Sequence, residues 1–128
     1  MDPRFVTKSM HAFLDYPVAL SLMVAPFLLG LGGSQPAARW LAAGTGVAAL
    51  VLTLLTDHQL GVFRVLPFSV HLTVDAVVGA AFVLAPTLLG FTGGDALYYW
   101  INGAAVLVVV GLHKPAPAVA PGAAGLAA

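Results

Sequence analysis

Cysteine is absent from this chain, which excludes disulfides, thiolate metal sites and cysteine nucleophiles and leaves the redox compartment unmarked. Charge is nearly absent too. Only 8% of the 128 residues are charged, against about a quarter in an ordinary soluble domain, and so few cannot cover a globule in water. The net charge is zero and no basic run occurs, so nucleic-acid binding has no electrostatic support. Disorder is excluded by the opposite excess, because 60% of the residues are hydrophobic and disordered chains are poor in them. No nucleophile–base constellation, phosphate-cradling glycine loop or metal-ligand motif is visible, and no soluble segment is large enough to house a substrate domain. These absences point to a non-enzymatic protein whose solvent is lipid.

What is present is long apolar sequence. A helix needs roughly 20 mostly apolar residues to cross the hydrocarbon, and four stretches qualify, at about 11–31, 37–56, 71–91 and 96–112. They are rich in Leu and Ala and lack two-residue alternation, which favours helices over strands. "GLGGSQP" and "FTGGD" supply tight turns after the first and third. The first run contains Asp15, Pro17 and Pro26 and is echoed later in the chain, so it reads as mature structure rather than a signal peptide.

The echo is an internal repeat. At an offset of 60 residues His11 meets His71, Asp15 meets Asp75, Ala25-Pro26 meets Ala85-Pro86, Leu28-Leu29-Gly30 meets Leu88-Leu89-Gly90, and Trp40 meets Trp100. Each unit is one helical hairpin, so both copies cross the membrane in the same sense. The expected architecture is all-α: four transmembrane helices as two tandem parallel-repeat hairpins, with a pseudo-two-fold axis along the membrane normal. The segments are an N-terminal stretch 1–10, hairpin 11–56, an interfacial connector 57–70, hairpin 71–112, and a flexible Pro/Ala/Gly tail 113–128. Leu60, Phe63, Leu66 and Phe68 of the connector are expected at the headgroup boundary, with Arg64 reaching outward. Arg4, Lys8, Arg64 and Lys114 lie on the side of the termini and Arg39 on the side of the turns, which places both termini in the cytoplasm. Trp40, Tyr98, Tyr99 and Trp100 then form an aromatic belt at the far interface.

The His-x-x-x-Asp openings, the segments "APFLLGL" and "APTLLGF", and the connector "TDHQLGVFRVLP" resemble the SPW repeat family of small bacterial integral membrane proteins. The resemblance covers about 11 to 112. In both copies the Ser-Pro-Trp motif is replaced, by Ala25-Pro26-Phe27 and Ala85-Pro86-Thr87, and Gln59 stands where relatives often carry an acidic residue. The resemblance implies a four-helix protein of the bacterial inner membrane and no particular reaction.

The residues able to carry chemistry are few. His11 and Asp15, like His71 and Asp75, are four apart and share a helical face. A carboxylate inside the bilayer is costly, which keeps each Asp off the lipid face, protonated or paired. Pseudo-symmetry brings the two pairs together if their faces meet on the bundle axis. Three readings follow. The quartet pins the hairpins together; or His11 and His71 hold a haem or another metallated pigment as axial ligands, with each Asp orienting its imidazole; or Asp15 and Asp75 line an ion or proton path. A path needs polar groups at successive depths, and only Ser21, Thr45, Thr53 and Asn102 lie deeper. No metal-binding spacing occurs, so His11 and His71 are the only candidate metal ligands, and His58 and His113 read as plain interfacial residues. Pro26 and Pro86 are expected to kink or end their helices. "AAGTG" and "NGAA" offer small faces for close packing, and Asn102 a hydrogen bond across helices. The sequence therefore favours a structural or accessory subunit that packs against itself or a larger membrane complex. The pigment binder and the ion path are the alternatives.

Overall fold

The computed structural model describes residues 2–114; the remainder of the expected tail, from 115 onward, lies outside the described residues. Four helices make the fold: α1 (Lys8–Leu28), α2 (Ala37–Leu55), α3 (Phe68–Leu89) and α4 (Gly93–Gly111). Each has 19 to 22 residues, a length of about 30 Å at 1.5 Å per residue, and each is apolar enough to cross a membrane. The polarity of the bundle runs opposite to that of a water-soluble one. Phe13, Leu20, Val24, Leu28, Val77, Leu88 and Ile101 are exposed, whereas His11, Thr53, Thr56, His58, His71 and Asp95 are buried. A surface of this kind is solvated by acyl chains, and the chain is a multi-pass membrane protein.

Capping chemistry sets the helix ends. α1 starts three residues before the expected position because Thr7 Oγ1 accepts a hydrogen bond from the Met10 amide at 3.2 Å, a standard N-cap. α3 also starts early, directly after Pro67, whose fixed φ prepares the first turn. At their other ends α1 and α3 stop alike. Gly30 and Gly90 adopt left-handed φ values of 66° and 73°, and the amides of Leu31 and Phe91 reach back to the carbonyls of Pro26 and Pro86 at 2.9 and 3.0 Å. This reversal needs glycine at the left-handed position. Pro26 and Pro86 thus lie in the last turn of their helices.

Close helix contacts form within hairpins, α1 against α2 and α3 against α4. A Cβ on Gly46 would approach the Ala19 carbonyl oxygen to 2.9 Å, and one on Gly103 the Gly79 oxygen to 2.8 Å. The small-residue stretches are therefore internal packing faces. Between hairpins, larger side chains bridge a wider gap. Tyr99 donates its hydroxyl to the Ala38 carbonyl at 2.7 Å, and its ring packs 4.6 Å from that of Phe82 and 4.9 Å from that of Phe91.

This arrangement changes two sequence expectations. Buried positions of α1 and α3 match at the 60-residue offset: His11 with His71, Ala19 with Gly79, Leu22 with Phe82, and Pro26 with Pro86. Those of α2 and α4 match at 57 instead, pairing Ala38 with Asp95, Ala42 with Tyr99 and Gly46 with Gly103. The second turn is shorter, so Trp40 and Trp100 are not in equivalent places. Trp40 and Trp100 are exposed as an interfacial belt requires, at 62% and 47%, but Tyr98 and Tyr99 are buried in the protein. The correction has a simple cause: Tyr99 fills the space left by the two small residues Ala38 and Ala42 of the other hairpin.

At the end opposite the turns, the chain folds over the bundle. The amides of Val62 and Phe63 bond to the Leu54 carbonyl and those of Val65 and Leu66 to the Leu55 carbonyl, satisfying acceptors that α2 leaves open at its C-terminus. Ser9 Oγ donates to Gln59 Oε1 at 2.9 Å and Tyr16 Oη to the Leu60 carbonyl at 2.6 Å. Arg64 is exposed and its guanidinium donates to the Gln59 and Gly61 carbonyls. The supposed start of the mobile tail is also tied down. Val6 pairs with the chain at 112–114 through Val6 N to Leu112 O at 3.0 Å and Lys114 N to Val6 O at 2.7 Å.

Candidate functional site

The i,i+4 spacing places each His beside its own Asp, and side chains reaching across the wider gap between the starts of α1 and α3 make one centre of the two pairs. His11 Nε2 lies 3.2 Å from Asp15 Oδ1 and 2.8 Å from Asp75 Oδ2. His71 Nε2 lies 3.3 Å from Asp15 Oδ2 and 3.3 Å from Asp75 Oδ2. Each imidazole nitrogen faces both carboxylates, so α1 and α3 begin at the same end of the bundle. Both histidines are buried, and the carboxylates are nearly so.

Hydrogen bonding alone does not account for this convergence. An imidazole Nε2 carries at most one hydrogen, yet each of these nitrogens has two carboxylates within 3.3 Å. Only His11 with Asp75 is aligned as a hydrogen bond, and Asp15 Oδ2 is buried without one.

A further residue fixes the state of His71. Thr56 Oγ1 lies 2.6 Å from the Leu52 carbonyl and 2.7 Å from His71 Nδ1. A carbonyl can only accept, so the single hydroxyl hydrogen goes to Leu52, and the hydroxyl accepts from Nδ1–H of His71. With Nδ1 carrying a hydrogen, Nε2 is the nitrogen turned to the two carboxylates, and positive charge there, from a second ring hydrogen or from a bound cation, is what balances them.

Sequence reasoning missed two neighbours. His58 is 3% exposed, neither ring nitrogen has a hydrogen-bond partner, and Nε2 stands 3.6 Å from Asp15 Oδ2. Burial pushes its imidazole below the ordinary value, as it does for His113, so His58 is uncharged at neutral pH. The His113 ring is 6.0 Å from that of His11, and Phe68 packs against all four histidines. No spacing rule links position 58 or 113 to positions 11 and 15. The sequence offered only that a histidine stands in each segment, at the head of the connector and just after the fourth span.

Below the quartet lies a cavity of about 170 Å³, walled by Leu14, Val18, Ala49, Val106 and Val109, with Thr53 and Asn102 on its side. Thr53 Oγ1 donates to the Ala49 carbonyl and Asn102 Nδ2 to the Tyr98 carbonyl, both within their own helices. Asn102 therefore makes no bond across helices, in contrast to the expectation, and no ladder of free polar groups leads inward from Asp15 and Asp75 among the described residues. Axial ligation of a macrocycle does not suit the geometry either. Ligands to a haem face each other across a flat slot, whereas His11 and His71 stand at 87° with ring centres 5.3 Å apart and share the same two carboxylates.

A second set of polar contacts joins the hairpins at the turn end. Asp95, in the first turn of α4, accepts from the Gly32 amide at 3.0 Å, the Ser34 amide at 2.9 Å and Ser34 Oγ at 2.6 Å. The helix N-terminus favours its charge.

The family described as the SPW repeat domain matches residues 9–114, which spans all four helices and every residue of the quartet. No curated protein and no solved structure matches the chain.

Proposed function

We propose that this chain, which belongs to the SPW repeat domain family, is a non-enzymatic accessory subunit of the bacterial inner membrane, with both termini in the cytoplasm, packing against copies of itself or a larger membrane complex. The observation that carries this reading is the disposition of the chain. Most described residues lie in four membrane-length helices, and the links between them fold back onto the bundle ends, so the largest surfaces face lipid or other transmembrane helices. The polar side chains turn inward and join the two hairpins to each other, which gives a stiff unit with an apolar exterior suited to packing in the bilayer. The excess of Lys and Arg at the end carrying the termini supports the orientation.

Two experiments test it. A pull-down in mild detergent should recover oligomers or co-purifying membrane proteins, and recovery of monomer alone counts against the accessory role. Because the chain has no cysteine, Asp2→Cys and Ser34→Cys each supply a single label. An impermeant thiol reagent applied from the periplasmic side should modify Ser34→Cys and spare Asp2→Cys; the reverse pattern overturns the orientation.

A further inference from the structure

We infer that His11, Asp15, His71 and Asp75, with His58 contributed by the connector, form a binding site for one divalent first-row transition-metal ion such as Zn²⁺. The inference goes beyond an accessory role and does not depend on it.

Four observations carry it. The first is metric. One donor atom from each of the four helical residues lies within 4.8 Å of all the others, and the four His–Asp separations are 2.8, 3.2, 3.3 and 3.3 Å. Metal–ligand bonds of about 2.0–2.2 Å give ligand–ligand edges of roughly 3.0–3.6 Å in four- or five-coordinate shells, so an ion fits with small side-chain movement. The second is the His71 tautomer. Thr56, itself anchored to the Leu52 carbonyl, holds a proton on Nδ1 and so makes Nε2 the ligating nitrogen, with an incoming metal ion taking the place of any hydrogen there; this is how an outer partner orients a metal-bound histidine.

The third is His58, a fully buried side chain with no hydrogen-bond partner, whose Nε2 is 3.6 Å from Asp15 Oδ2. An orphaned buried imidazole calls for an explanation, and a place in a coordination shell supplies one. The fourth is charge. Two carboxylates and neutral imidazoles around a divalent cation sum to zero, which removes the cost of two buried negative charges in a membrane protein. Imidazole and carboxylate donors suit zinc, iron or manganese, and the absence of thiolate argues against a site for Cu(I).

The test uses the full chain purified in mild detergent, stripped with chelator and titrated with Zn²⁺ and with Co²⁺. Expected are saturable binding of one ion per chain by elemental analysis, a visible Co²⁺ spectrum of nitrogen and oxygen ligation, and a rise in melting temperature with Zn²⁺. Thr56→Val should weaken binding by about 10–100-fold, and Thr56→Ser should restore it. Removing a quartet residue risks the fold, so His58→Ala serves as the second variant. His58 makes no side-chain hydrogen bond to lose, so its replacement should keep the fold with a metal-free melting temperature lowered only by the lost packing, and should weaken the affinity for Zn²⁺, which is the readout. Absence of saturable binding overturns the proposal. So does binding that is indifferent to both Thr56→Val and His58→Ala, because the ion then sits elsewhere.

Discussion

Both ends of the bundle join the hairpins through carboxylates held inside or at the edge of the protein, and they do so in opposite ways. At the turn end Asp95 is matched to its partners, with three donors within 3.0 Å. At the end carrying the termini, two carboxylates and three imidazoles crowd one point. Between the imidazoles and the carboxylates one hydrogen bond is well aligned, while Asp15 Oδ2, His11 Nδ1 and both nitrogens of His58 have none. A site that only holds a fold together resembles the first, because unsatisfied buried polar groups cost stability. The second retains unmet bonding capacity directed at one small volume, as a ligand site does. Presence of a buried carboxylate separates the two ends poorly; the state of its hydrogen bonds separates them well.

The contrast can be broken by substitution. The largest effect should come from Asp95→Ala, which leaves the Gly32 and Ser34 amides without an acceptor and should lower stability in detergent by about 3 kcal/mol, equally with and without chelator. Asp75→Leu should cost about 1–3 kcal/mol in the metal-free protein and should abolish any stabilisation by Zn²⁺; an unchanged melting curve would mean that Asp75 faces water. Tyr99→Phe removes the buried bond to the Ala38 carbonyl and should cost about 1 kcal/mol, again independent of metal. Asp2→Asn disrupts the exposed Arg4 pair at 2.9 Å and should leave the melting curve where it was, since exposed pairs contribute little.

Much of this could be read from the sequence, for physical reasons that differ by region. The four spans were legible because lipid tolerates only long apolar helices. The His–Asp quartet was legible because the four-residue spacing fixes a shared face and the repeat puts two such faces in register. The 57-residue match of α2 with α4 was not, since turn length shifts a helix along its axis without disturbing its composition. Tyr98 and Tyr99 were assigned to the membrane interface from residue type, yet which side of α4 meets the other hairpin depends on small residues at Ala38 and Ala42. Thr56 escaped notice and His58 read as a plain interfacial residue because their roles arise only when the connector folds back onto α1 through Gln59 and Leu60. Asp95 drew no reading from the sequence, because its partners are more than 60 positions away.

The convergence of both His–Asp pairs on one centre is tested most directly by magic-angle-spinning NMR on labelled protein in lipid bilayers. The structure predicts strong ring-nitrogen to carboxyl-carbon correlations between hairpins, from His11 to Asp75 and from His71 to Asp15. Correlations confined to His11 with Asp15 and His71 with Asp75, each within its own helix, would contradict it.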